Sequence, residues 1–224
     1  MNAIHVIIYG ASGLAGSGVF EECLVHPAIG RIVVVGRKPM KIKHPKVSEI
    51  LLNNFLDYSM HEQSLRGIDA CFYCLGVSQT QVPGKEEYMR ITYDYTMAAA
   101  EALSRLNPGM TFCFLSGAGT DSTMKSRLMW ARVKGKTEND LSGFSFGKVY
   151  HFRPGLIHPE GTVRPRLMAA RILIPVFPVL NFLFPAWVTT TREFGKAMIN
   201  AALGLANKNV IENKEIRELS RIVG

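Results

Sequence analysis

Apolar runs of strand length recur along the chain, at Ala3 to Tyr9, Arg31 to Val35, Val47 to Leu52, Ala70 to Leu75, Met110 to Leu115 and Lys148 to Phe152. Several are nearly continuous rather than alternating, which is the pattern of strands buried on both faces. Between them the spacing becomes helical, over Leu14 to Val25, Glu86 to Leu106 and Met124 to Leu141. In the second of these, Met89, Tyr93, Met97, Ala100 and Leu103 recur every three or four residues and define one helix face. Strand and helix therefore alternate, which requires parallel strands joined by right-handed helical crossovers. The pattern predicts an α/β fold, a doubly wound parallel sheet with helices on both faces. From about Gly155 the chain becomes Pro-rich and helical, with Pro159, Pro165, Pro175, Pro178 and Pro185, and reads as a small C-terminal helical cap.

At 224 residues the chain fits one domain, long enough to bury roughly 70% of the surface its unfolded form exposes. Hydrophobic content of 47% and charged content of 20% exclude disordered, collagenous and coiled-coil classes. The net charge of +8 suits an acidic ligand, but Lys and Arg are scattered rather than gathered in a stripe, so no nucleic acid partner is expected. Of the cysteines at 23, 71, 74 and 113, the pair Cys71 and Cys74 has redox or metal spacing. It lies within a strand, however, where residues three apart face opposite sides, so both read as buried apolar cysteines. The opening "MNAIHVIIYG" lacks the basic and long apolar regions of a signal peptide, which makes a reducing, cytoplasmic location the expectation.

The segment "VIIYGASGLAGSGVFEECL" sets Gly10, Gly13 and Gly16 between the first strand and the first helix. A glycine triplet there has a physical use. Gly10 makes the tight turn, Gly13 lets backbone approach a pyrophosphate, and Gly16 lets helix pack on strand. Ser12 and Leu14 lie in the same loop, whose amides and helix dipole favour phosphate. The fold expected is thus of the Rossmann type, with 1–154 a dinucleotide-binding core and 155–224 the cap and C-terminal helices of the same domain. The second strand ends "IVVVGRKPM", where an NAD site carries an acidic residue; Arg37 and Lys38 stand there instead and suit a 2′-phosphate. NADP(H) is therefore expected over NAD(H). Asp57, after the third strand, is placed toward the adenine, and Leu75 and Gly76, ending the fourth, toward the cofactor's path along the sheet edge.

With "GASGLAG", "VVGRKP", "YCLG", "FLSGAG", "VKGKTE", "FRPGLI" and "VIENKEIREL" in this order, the chain resembles the atypical short-chain dehydrogenase/reductase family, particularly its small members. That resemblance implies an NADP(H)-binding oxidoreductase and, in active members, a Ser, Tyr, Lys catalytic set, in which the phenol moves the proton that accompanies hydride transfer. Ser116 matches the family's Ser and Lys134 its Lys. Four residues before the Lys, where the Tyr belongs, stands Trp130, whose indole has no useful acidity. Three readings stay open. The activity is lost and a nucleotide-binding sensor remains; another base, Tyr93, Tyr95 or a water on Ser116 and Lys134, replaces the phenol; or Trp130 is simply a packed helix residue.

The stretch from Arg166 to Val188 is the most apolar in the chain, interrupted by Arg171, Asn181 and three prolines. It reads as part of the cap, as lining for an apolar small-molecule substrate, as the face of a homodimer, or as a shallow membrane contact through Arg164, Arg166 and Arg171. A lipid-handling adaptor is accordingly a third functional reading beside oxidoreductase and sensor, and the protein is expected to be a monomer or a homodimer. "RPGLIHP" resembles the family's loop beside the nicotinamide, shaped by Pro154 and Gly155. His151 and His158 flank it and read first as packed residues.

Overall fold

The computed structural model describes residues 3–160 and 187–222. In chain order the main elements are β1 (Ile4–Tyr9), α1 (Leu14–Val25), β2 (Ile29–Gly36), β3 (Val47–Leu51), β4 (Ala70–Tyr73), α2 (Lys85–Met89), α3 (Tyr95–Leu106), β5 (Thr111–Leu115), α4 (Met129–Leu141), β6 (Lys148–Arg153), β7 (Leu156–His158), β8 (Val188–Thr190), α5 (Thr191–Ala202), β9 (Val210–Glu212) and α6 (Asn213–Ser220). Seven strands form one parallel sheet in the order β3-β2-β1-β4-β5-β6-β9. The doubly wound Rossmann-like fold read from the sequence is the fold observed. The order reverses direction between β1 and β4, and such a switch point opens a crevice at the strands' C-terminal ends.

The period of two along each strand explains the continuous apolar runs. Val6 and Ile8 of β1, Ile32 and Val34 of β2 and Phe72 of β4 bury on one face, against Val19 and Phe20 of α1 and Phe194 and Met198 of α5. Their neighbours Ile7, Tyr9, Val33, Val35 and Tyr73 bury on the other, against Ala99 and Leu103 of α3. Cys71 joins the second core and Cys74 the first, both as free thiols, as the strand reading of that pair required.

Three departures have physical causes. Between α2 and α3 the chain makes a π-turn, Arg90–Asp94, which inserts an extra residue and shifts the phase of the helix face. Tyr88 and Thr92 are therefore buried while Met89 and Tyr93 are only partly covered; beyond the turn Thr96 and Ala100 are buried and Met97 partly covered. The helix expected from Met124 begins at Met129, because Met124 itself has a φ of 62°, a left-handed conformation that ends a turn and does not start a helix. The C-terminal part supplies core and not only cap: β9 extends the sheet and α5 lies against α1. The apolar stretch read as cap, substrate lining, dimer face or membrane contact lies, apart from Trp187 and Val188, outside the described residues. Among the described residues no helix is long and apolar enough to cross a membrane.

The α1–α5 crossing is closer than side chains allow. A Cβ on Gly18 would lie 2.2 Å from the Thr191 carbonyl oxygen, and one on Gly195 2.6 Å from the Gly18 carbonyl oxygen. Gly18→Ala is expected to lower stability by about 1–3 kcal/mol through overpacking, despite the ~1 kcal/mol that Ala ordinarily gains within a helix. A urea midpoint that stays or rises in the variant would refute the contact.

Candidate active site

The end of β1 runs straight into the glycine loop. Gly10 has a φ of +75°, and a Cβ there would lie 2.6 Å from the Cys74 carbonyl oxygen. At Gly16 a Cβ would lie 2.2 Å from the Gly10 carbonyl oxygen, so only hydrogen lets α1 start this close to the strand. The Gly13 amide donates to the Gly10 carbonyl over 2.9 Å and closes the turn. No side chain caps α1 and no acidic residue occupies its first turn. Its leading amides, with their partial positive charge, are left for a ligand at the crevice.

Two adjoining cavities occupy that crevice. The first, 510 Å³, is lined by Gly10, Ser12, Arg37, Lys38, Phe55 and Leu75 among others. The second, 480 Å³, continues from Leu75 past Gly13, Leu14 and Gly76 to Ser116 and Lys134. The structure thus brings the sequence-derived residues onto one trough, with Gly16 behind the loop as its packing residue. Asp57 is the exception. It is exposed and absent from the lining, and its carboxylate accepts the Ser59 amide over 2.9 Å; Phe55 faces the cavity in its place. That hydrogen bond, and a second from the Ser59 side chain, hold the Asp57 carboxyl below its ordinary range.

Among the lining residues that the sequence pattern did not announce, three stand out. Glu49 of β3 reaches the first cavity and accepts the Met40 amide over 3.0 Å, tying down the turn that carries Arg37 and Lys38. Phe55 stacks on Tyr95 with centroids 5.4 Å apart. Thr92, set by the π-turn, lines the second cavity with a buried hydroxyl that finds no hydrogen-bond partner. Each arrives from an element that is distant in sequence, and no motif announces it.

At the Lys134 end, Nζ donates to the carbonyls of Leu115 (3.1 Å) and Ser116 (3.0 Å). Burial lowers the pKa of this ammonium to about 8, although Glu138 pulls the other way. Ser116 Oγ lies 2.9 Å from Thr120 Oγ1, which itself donates to the Gly117 carbonyl over 2.7 Å. The Thr proton being spent there, Ser116 is the donor within the pair.

Trp130 stands one helical turn before Lys134 and beside the same loop; a Cβ on Gly119 would lie 3.4 Å from its ring. It borders a third cavity of 770 Å³, shared with Gly117, Pro154, Gly155 and Trp187. Neither tyrosine proposed as a replacement base reaches the trough. The Tyr93 phenol donates to Asp140 over 2.6 Å and accepts from Lys136 over 2.9 Å, while Tyr95 stacks on Phe55. His151 is buried with Nε2 3.0 Å from Ser142 Oγ, and His158 on β7 is absent from the lining of all three cavities.

No known protein-family model matches the chain. Protein HTATIP2 (TIP30) of Rattus norvegicus is 26% identical over 224 residues, covering 96% of this chain and 89% of that protein. The mitochondrial protein fmp52 of Emericella nidulans is 24% identical, over 94% of this chain and 92% of its own length. Among solved structures, the Bordetella bronchiseptica enzyme WbmF in complex with NAD+ matches with a TM-score of 0.70 at 13% identity, over 98% of this chain and 77% of that one. A short-chain dehydrogenase from Burkholderia cenocepacia in complex with NADP matches at 0.67 and 14%, over 98% and 92%. The chain resembles an atypical short-chain dehydrogenase/reductase of the TIP30 kind. Its fold is that of NAD(P)-binding oxidoreductases and epimerases. The expectation of a cytoplasmic location is overturned, since several relatives similar over most of the chain are named as mitochondrial proteins.

Beneath the short-chain-dehydrogenase-like site lies a buried ion pair. Glu138, on α4 one turn beyond Lys134, is 2% exposed and receives Arg153 Nε over 3.0 Å and Nη2 over 2.5 Å. Arg153 also donates to Ser122 Oγ over 2.8 Å and to Glu212 over 3.2 Å, which ties the loop after β5 to α4, β6 and β9. Burial pushes the Glu138 carboxyl up, but the hydrogen bonds from Arg153 outweigh it and hold the group below its ordinary range. The folded state therefore binds this proton less readily than the unfolded chain. Its contribution to stability is complete above the unfolded pKa of about 4.3 and is lost as pH falls through the lower folded value. Arg153→Met leaves the carboxylate buried and unpaired, and is expected to cost about 3–5 kcal/mol at pH 7. The gap between variant and natural protein should narrow as the pH is lowered, because protonation removes the unpaired charge. Urea denaturation at several pH values checks both statements, and a gap that widens toward acid would refute the assignment.

Proposed function

We propose that the chain is an NADP(H)-binding oxidoreductase-like protein that takes an apolar small-molecule substrate. One observation carries the reading: Arg37 and Lys38 at one end, the uncapped start of α1 in the middle, and Ser116 with Lys134 at the other end line one trough. The donor set fits a dinucleotide. Free amides suit the pyrophosphate, and the glycine positions forbid the side chains that would fill its cradle. The unpartnered Thr92 hydroxyl supplies a polar contact within the buried part. Arg37 and Lys38 are exposed and have no carboxylate partner among the described residues, which leaves both cations for a 2′-phosphate.

When bound, the dinucleotide supplies or accepts a hydride. Lys134, anchored on two carbonyls, keeps one N–H for a ligand hydroxyl and places positive charge beside the reacting oxygen. With its pKa near 8 it is mostly protonated at neutral pH and still exchanges its proton there. Ser116 orients the substrate oxygen by turning its hydroxyl away from Thr120. Trp130 favours a second reading, a catalytically quiet NADP(H) sensor, because indole cannot serve as the acid.

Calorimetry separates the cofactor specificities. NADPH is expected to bind more tightly than NADH, and Arg37→Ala/Lys38→Ala to weaken NADPH by about 10–100-fold, the worth of one or two charge-assisted hydrogen bonds. NADH affinity should be unchanged in that variant. Equal loss for both nucleotides, or no heat with either, would overturn the proposal.

A further inference from the structure

Seven tyrosines occur in the sequence, all of them among the described residues. None lines the trough or the adjoining 770 Å³ cavity. Tyr9, Tyr58, Tyr73 and Tyr88 are buried in the fold, Tyr150 points at the Ala206 carbonyl, and Tyr93 and Tyr95 are engaged as described above. The phenol is therefore missing from the site and not merely relocated, and Cys74, which does line it, has a thiol pushed up to about 12 by burial. This restricts the substrate. Hydride addition to an ordinary ketone places the displaced electron pair on an alkoxide, a base strong enough to need a proton as it forms. Hydride addition to a quinone places that pair on a ring oxygen as a phenolate, whose conjugate acid has a pKa of about 10, like that of tyrosine itself. Such an oxygen needs stabilising charge nearby but no matched acid, and Lys134 provides the charge.

The neighbouring cavity agrees with this chemistry from an independent side. It is walled by Gly117, Ala118, Trp130, Pro154, Leu156 and Trp187, with no charged side chain among the described lining residues. Gly117, Pro154 and Gly155 border both it and the Lys134 half of the trough, so a ring held there lies next to the hydride site. A Cβ on Gly155 would lie 2.3 Å from the Trp187 carbonyl oxygen, which pins the Trp187 backbone to this loop while its side chain stays 65% exposed. Trp130, packed from α4 against the loop after β5, and the exposed Trp187 offer indole faces that suit a flat, electron-poor ring.

Building on the dinucleotide reading above, we propose that the alcove bounded by Trp130 and Trp187 takes a quinone, which is reduced there to the hydroquinone. The reaction balances: one hydride leaves the reduced dinucleotide with its electron pair and enters the quinone, the dinucleotide becomes the oxidised pyridinium, and one proton from the Lys134 ammonium or water completes the hydroquinone. Lys134 then recovers its proton from solvent.

Trp130 and Trp187 are the only tryptophans of the chain, so all indole fluorescence reports on this alcove. Titration of the full chain with menadione, without nucleotide, is expected to quench it saturably, and Trp187→Phe to retain saturable quenching through Trp130. Under anaerobic conditions with NADPH, menadione should be converted to its hydroquinone with a kcat/KM exceeding that of cyclohexanone by about 100-fold or more, the low end of what a general acid contributes to ketone reduction. Trp130→Tyr, which restores a phenol at the position, should raise cyclohexanone turnover and leave menadione turnover no higher. If NADPH binds but quenching is only linear and menadione is consumed no faster than without protein, the quinone assignment fails while the dinucleotide reading stands. If NADPH itself does not bind, both fail.

Discussion

The close approach of α1 to the end of β1 is the constraint on which the rest depends. A methyl group at Gly16 would sit 2.2 Å from the Gly10 carbonyl oxygen, and one at Gly10 2.6 Å from that of Cys74. Two contacts that only hydrogen permits therefore fix where α1 starts and where the neighbouring strand ends. They place uncapped amides at the sheet's reversal point, between the basic turn after β2 and the serine after β5. Leu75, the residue common to the two halves of the trough, lies directly beside this junction.

Much of this was legible in the sequence because it is written in local pattern. A buried parallel strand needs apolar residues on both faces, so β1, β2 and β5 stood out, and α1 has the bounds that its spacing and its glycine loop imply. The basic turn at Arg37 and Lys38 was legible for the same reason. The phase of the helix before β5 was not, since a π-turn has no strong sequence signal and displaces every position on its N-terminal side. Nor was the contribution of Glu49, Phe55 or Thr92, each brought to the trough by topology. Asp57 shows the converse error. It stands at the position the pattern favours, yet its carboxylate is used by the Ser59 amide and its neighbour Phe55 takes the cavity.

The C-terminal segment taught a similar lesson about pattern and packing. Its Pro-rich start suggested something set apart from the sheet, but α5 is indispensable to one face of the core. Phe194, Ala197 and Met198 are fully buried there beside Val19 and Phe20 of α1. The capping box of Thr190 and Glu193, in which each side chain binds the other's backbone amide, starts α5 directly after β8. The small β7–β8 sheet therefore joins the wall of the apolar alcove to α5, the helix packed on α1 behind the glycine loop.

Helix α4 draws the chemistry together. Trp130, Lys134 and Glu138 are spaced four apart and share a face of the helix. Each meets a different demand: an apolar wall of the third cavity, a cation in the trough, and beneath them a carboxylate neutralised by Arg153 that ties the helix to the loop after β5. A Cβ on Gly135 would lie 1.9 Å from the Asp121 carbonyl oxygen, so that loop rests on the helix backbone itself. The indole at the first of these positions leaves the other two untouched, because neither Lys134 nor Glu138 has a hydrogen bond to it. On the proposed reading, an indole at this position changes what the site can protonate without changing how the helix is held, which is why that reading turns to a different class of acceptor and not to a collapsed site.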